Sequence, residues 1–162
     1  MLTNLESKLG EVTGLAMAAK AATSTVTKLA QGEAGDLVET LRQMAEEAAE
    51  TEKRCTELGG SFEGKKTAIL EEAKETKEKA ASMMDIYLDE ESDALDGFEF
   101  LTMAEAGEVG HWEVLGEMAK AAGRSDVEQL VEWALPIQQR HFETARAAST
   151  KLAAEEDPNE ES

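Results

Sequence analysis

Four segments of the sequence carry their apolar residues alternately three and four positions apart, and that spacing leaves helix packed on helix as the fold. Steps of three and four return to one face of a helix, whereas a strand needs steps of two. The first run is Leu2, Leu5, Leu9, Val12, Ala16, Ala19, Thr23 and Val26; the second is Leu37, Leu41, Met44, Ala48, Thr51, Cys55 and Leu58. The third is Ala94, Phe98, Leu101, Glu105, Glu108, Trp112, Leu115 and Ala119, and the fourth is Val127, Val131, Ala134, Gln138, His141, Ala145, Ala148 and Leu152. No alternating run of strand-forming residues competes with them. Aromatic residues make up only 4% of the chain and there are two prolines, which leaves a mix of strong helix formers. The chain reads as all-α.

Capping signals set the expected boundaries. Thr3 with Glu6, Asp36 with Glu39 and Ser125 with Glu128 have capping-box spacing. Gly59, Gly60 and Gly123 stand where helices stop. The core helices are therefore expected over residues 4–30, 37–58, 93–122 and 125–154. Between the second and third lies "KKTAILEEAKETKEKAASMMDIYL", heavily charged, with a narrow apolar side of Ile69, Leu70 and Ala73. It reads as a crossover helix lying outside the core. The whole predicts a four-helix bundle over residues 1–154, followed by an acidic, disordered tail over 155–162. Pro136 should kink the last helix, and Gly107 and Gly110 should let a neighbouring helix come close.

Charged groups occupy core positions in the middle of this bundle. Glu105 and Glu108 fall one turn apart on the third seam, and Gln138 and His141 fall one turn apart on the fourth. Glu47 and Glu50 flank the centre of the second. A buried, unpaired carboxylate costs several kcal/mol or takes up a proton. Carboxylates and imidazole are also ligands for metals such as iron and manganese. Glu105, Glu108, His141, Gln138, Glu47, Glu50 and Glu11 are thus the candidate metal residues, with a shared proton or a basic partner as the other way to hold the acids. His111 completes a Glu-x-x-His spacing with Glu108, but sits on the shoulder of the seam and reads as a supporting or surface residue.

Several function classes lose support. The formal charge of −19, from 35 acidic and 16 basic residues, makes nucleic acid and anionic membranes poor partners. There is no apolar run of the ~18 residues a membrane span needs. The first ten residues lack the basic-then-apolar order of a signal peptide. The single cysteine, Cys55, fits a reducing compartment, and a cytoplasmic location is the expectation. No phosphate-binding glycine loop, zinc cysteine spacing or nucleophile–base pair is present.

These residues resemble the ferritin-like class, whose four core helices each supply acids, two of them as Glu-x-x-His. Rubrerythrin-type members carry Glu-x-x-Glu on the third helix, which "EAGE" (Glu105 to Glu108) matches, while "QQRH" (Gln138 to His141) stands where the last Glu-x-x-His falls. The stress-associated YciF-type branch is the nearer likeness: "EAGEVGHWEVLGEMAKAAGRSDVEQLVEWAL" is similar to its third helix, turn and fourth helix, and "AEEAAETEKRCTELGG" to its second. The resemblance covers roughly Leu37 to Leu152. It implies a bound iron or manganese, singly or as a pair, and with a pair, oxidation of ferrous iron or removal of peroxide in oxidant defence. It also implies a homodimer. The chain departs from the pattern in three places. Gln138 replaces a glutamate, Glu47 stands where the branch has histidine, and the first helix offers only Glu11, with no acid between Val12 and Gly32. A bundle that has kept the fold but lost the metal, acting as an interaction or structural protein, is the other reading of the same residues.

Overall fold

The computed structural model describes residues 1–160, all in helices and connecting turns. The helices are α1 (Asn4–Glu33), α2 (Val38–Gly59), α3 (Lys66–Tyr87), α4 (Ala94–Ala122) and α5 (Ser125–Ala153), with a short 3₁₀ turn, Gly35–Leu37, before α2. The all-α expectation holds, and each helix falls within a few residues of its predicted span. None is long and apolar enough to cross a membrane. Residues 161 and 162 of the predicted tail lie outside the described residues.

α1 is the hub of the packing. α1 lies against α2, α3 and α4, and α4 pairs with α5 as an antiparallel hairpin. α2 meets α5 more sparsely, through Arg54 over the ring of Trp133 at one level and Glu47 beside Arg140 and His141 at another. α3 buries only Ile69 and Ala73, as a helix on the outside of the core should.

The seams are buried as their spacing dictates. Every one of the eight positions read on α4, and every one of the eight on α5, is buried. α1 goes further. Besides its seam from Leu9 onward (Leu2 and Leu5 are half-buried) it buries Glu6, Gly10, Thr13, Gly14, Ala22 and Ala30, because three helices cover it. Its close approach to α3 rests on Gly10 and Gly14. A Cβ on Gly14 would stand 2.2 Å from the Ala73 carbonyl oxygen, and one on Gly10 would stand 2.8 Å from that of Ile69. The four-residue spacing of these two glycines is the sequence signal for that contact. Gly107 and Gly110, expected to serve such an approach, face open space: a Cβ added at either would meet nothing within 4 Å.

Three local expectations are corrected. The Asp36–Glu39 box does not form, because Asp36 is drawn instead to Lys151 at the far end of α5. The Ser125–Glu128 box does not form either; Arg124 precedes the helix and its guanidinium clasps Asp126 at 2.7 and 2.9 Å. Gly60 closes α2 at the expected place but in right-handed conformation, whereas Gly123 closes α4 in the left-handed one as expected. The Thr3–Glu6 box is present as expected, and α4 begins with an unanticipated box of Asp93 and Asp96. α5 runs through Pro136 as one helix.

The apolar core is divided in two. One cluster gathers Val26, Leu41, Met44, Phe98, Leu101 and Leu152; the other gathers Leu9, Val12, Cys55, Trp112, Leu115 and Val127. Between them lies a layer of small and polar side chains.

Candidate functional site

That layer is built by α2, α4 and α5. Glu105, Glu108, Gln138 and His141 expose only 1%, 4%, 5% and 4% of their surfaces. The cause is the seam itself. Apolar neighbours three and four residues away on both sides fix the helix phase, so the polar residues between them have nowhere else to point.

Hydrogen bonds knit most of the layer together. The Gln138 side-chain amide donates to Glu105. Glu47 lies 2.6 Å from His141 Nε2 and also accepts from Arg140 at 2.7 Å and from Gln43 at 2.9 Å. The second imidazole nitrogen of His141 stands 3.8 Å from Glu105. The result is a chain of side chains running Arg140, Glu47, His141, Glu105, Gln138. Glu108 is different. It is buried beside Glu105, and no hydrogen bond joins its carboxyl to any described residue.

Electrostatics follow from burial. Desolvation pushes the Glu105 carboxyl up to about 8, against the opposing pull of the Gln138 amide. Glu108 is pushed well above the usual carboxylate range by desolvation and then by Glu105. Near neutral pH burial therefore favours the protonated form of Glu105. Desolvation lowers the His141 imidazole, which Glu47 only partly offsets. Glu47, half-buried, also meets desolvation as its largest influence, yet the bonds from Gln43, His141 and Arg140 together hold it below its ordinary range. Its negative charge is therefore kept at the edge of the layer.

Five of the seven candidate residues are thus brought together: Glu47, Glu105, Glu108, Gln138 and His141. The other two are engaged elsewhere. Glu50 accepts from Arg54 on the next turn of α2 at 2.9 Å. Glu11 is paired with Lys8 and lies 3.2 Å from His111 Nδ1. Arg140 is the member that sequence reading missed; it is exposed, and only its position one residue before His141 hinted at it.

No family model, curated protein or solved structure matches the chain.

The donor set can be weighed against a metal centre on its own chemistry. A two-metal carboxylate site draws acids from all four core helices. α1 runs antiparallel to α4, with Val26 against Gly97 and Glu11 against His111, so residues 15–19 lie beside Glu105 and Glu108. They are Leu15, Ala16, Met17, Ala18 and Ala19, which offer no ligand. Among the described residues no three His, Cys, Asp or Glu side chains come together as a group that could hold a metal ion. The residues do not fit a two-metal centre. Cys55 adds nothing to such a set, since burial pushes its thiol up to about 12.

Proposed function

We propose that the chain is a ferritin-like four-helix bundle of the YciF-type branch, with α1, α2, α4 and α5 as its core and α3 as the crossover. In this reading its central layer is held by protons and hydrogen bonds instead of a metal pair. Its role is non-enzymatic: a binding or scaffolding bundle. The observation that carries this is the Gln138 amide on Glu105, in the place where a metal-binding relative would set a second carboxylate. An amide can satisfy a carboxyl by hydrogen bonding, whereas a carboxylate there would need a cation between them. The homodimer belongs to the same proposal, and light scattering reads it directly.

One observation favours a second reading. Glu108 has no hydrogen-bond partner among the described residues and lies beside Glu105, itself 3.8 Å from His141; these are donor types that iron and manganese take, although a single ion would need them to draw closer than they stand here. Such an ion would supply the redox chemistry for oxidation of ferrous iron or removal of peroxide.

Metal content decides between them. Untagged protein loaded anaerobically with ferrous iron or with manganese, then desalted, is expected to hold neither in stoichiometric amount. Its melting temperature is expected to be the same with and without a chelator. One or two retained equivalents, lost in a Glu105→Ala/Glu108→Ala double variant, would overturn the metal-free reading.

A further inference from the structure

α3 and α4 do not close on each other along their length. Tyr87 and Phe100 meet at one end, with ring centroids 6.1 Å apart, and beyond them the helices leave a cavity of about 250 Å³ roofed by α1. Its walls are almost wholly apolar. Leu15, Ala18 and Ala22 come from α1, Met84 from α3, and Phe100 and Ala104 from α4. The mouth is marked by exposed Lys77, Met83 and Met103. Glu105 and Glu108 form part of the inner wall. Glu105 is engaged by Gln138; Glu108, nine-tenths buried, has no partner.

An apolar cavity of this size accepts an organic guest. An engineered cavity of about 150 Å³ lined by apolar side chains binds benzene, so this one has room for roughly ten heavy atoms. The polar wall selects among such guests. Glu108 offers acceptor oxygens, and no cation among the described residues is paired with it: Lys77 is at the solvent mouth, Lys8 is occupied by Glu11, and His111, which also lines the cavity, lies 3.2 Å from Glu11. A group that both donates hydrogen bonds and carries positive charge satisfies a buried carboxyl best. The chain's charge of −19 raises the local concentration of cations and repels anionic lipids and fatty acids.

We propose that the α1–α3–α4 cavity binds a small hydrophobic primary amine, its hydrocarbon part lying along Met84, Phe100 and Ala104 and its ammonium group donating to Glu108. This rests on the metal-free reading of the layer, because an ion between Glu105 and Glu108 would occupy the acid.

The test uses the full chain, checked for metal content on the same sample, in buffer of physiological salt. Straight-chain amines from butylamine to decylamine and the matching alcohols are titrated by calorimetry. We expect saturable one-to-one binding that strengthens with chain length up to about the size the cavity holds. Each alcohol should bind about tenfold or more weaker than its amine, and Glu108→Gln should weaken the amine by a similar factor while leaving the alcohol nearly unchanged. Glu117→Gln, at an exposed acid away from the cavity, should change neither, and Ala104→Phe should exclude both. Equal affinity of amine and alcohol, or an amine affinity indifferent to Glu108→Gln in a variant that melts like the parent, overturns the proposal. So does the absence of binding by metal-free protein. A retained metal would instead overturn the metal-free reading, and amine binding after its removal would still uphold the assignment of the cavity.

Discussion

Replacing Glu105 by glutamine should flatten the dependence of stability on pH. The carboxyl has an ordinary value of 4.5 and a folded value of about 8. Below the ordinary value both folded and unfolded chains carry the proton, and the folded state bears no penalty. As pH rises, the unfolded chain releases the proton and the folded chain keeps it, so stability falls until the folded value is passed. Each pH unit in this window costs about 1.4 kcal/mol, and the whole window costs about 5 kcal/mol. For a chain of this size that corresponds to about 10–20 °C of melting temperature. Glutamine is neutral throughout and can still pair with the Gln138 amide. Melting curves followed by circular dichroism from pH 5 to pH 9 should therefore start close together and diverge, with Glu105→Gln the more stable protein at the alkaline end. Self-repulsion of the acidic surface and the remaining Glu108 tilt both curves, so the difference between them is the quantity to read. Parallel curves would show that Glu105 ionises in the folded protein as it does in water, and would refute the account of the layer.

Other substitutions probe the same structure. Gln138→Leu removes the amide that holds Glu105 down, so the Glu105 carboxyl should titrate at higher pH than in the parent, as read by carbon NMR of labelled glutamate. Gly14→Ala drives a methyl group into the Ala73 carbonyl and should destabilise by about 1–3 kcal/mol or more in urea unfolding. Gly110→Ala meets nothing and should stabilise by about 0.5–1 kcal/mol in the same assay. The Cys55 thiol should resist alkylation at pH 8 in the folded chain and react only at the rate of unfolding, as mass spectrometry of the labelled protein would record.

The buried face of each core helix was legible in the sequence because phase accumulates. Over eight positions at steps of three and four, a misreading by one residue toward the C-terminus would turn Glu99, Glu113 and Lys120 of α4 and Glu128, Glu132 and Arg146 of α5 inward. The polar layer was legible for the same reason, since the pair Glu105 and Glu108 lies between Leu101 and Trp112, and the pair Gln138 and His141 between Ala134 and Ala145. The helix caps were less so. Asp36 and Ser125 have the right local spacing, but the fold brings Lys151 to Asp36, and α5 begins at Ser125 itself, so that Arg124 takes the cap position. Contacts between helices left the faintest trace. The four-residue spacing of Gly10 and Gly14, pressed on α3, differs little from the three-residue spacing of Gly107 and Gly110, at which an added Cβ would meet nothing. Nor does the sequence show that α3 and α4 splay apart, because that depends on how bulky Tyr87 and Phe100 prop them at one end.

The divided core has a consequence for how the molecule breathes. Each cluster is assembled from α1, α2, α4 and α5, so the molecule resembles a two-storey frame whose storeys share their posts but not their contents. Cohesion passes between the storeys along helix backbone and through a few side-chain bonds, with little oil-like packing to carry it. One storey should then open to hydrogen exchange while the other stays shut, with the boundary at the level of Glu105 and His141.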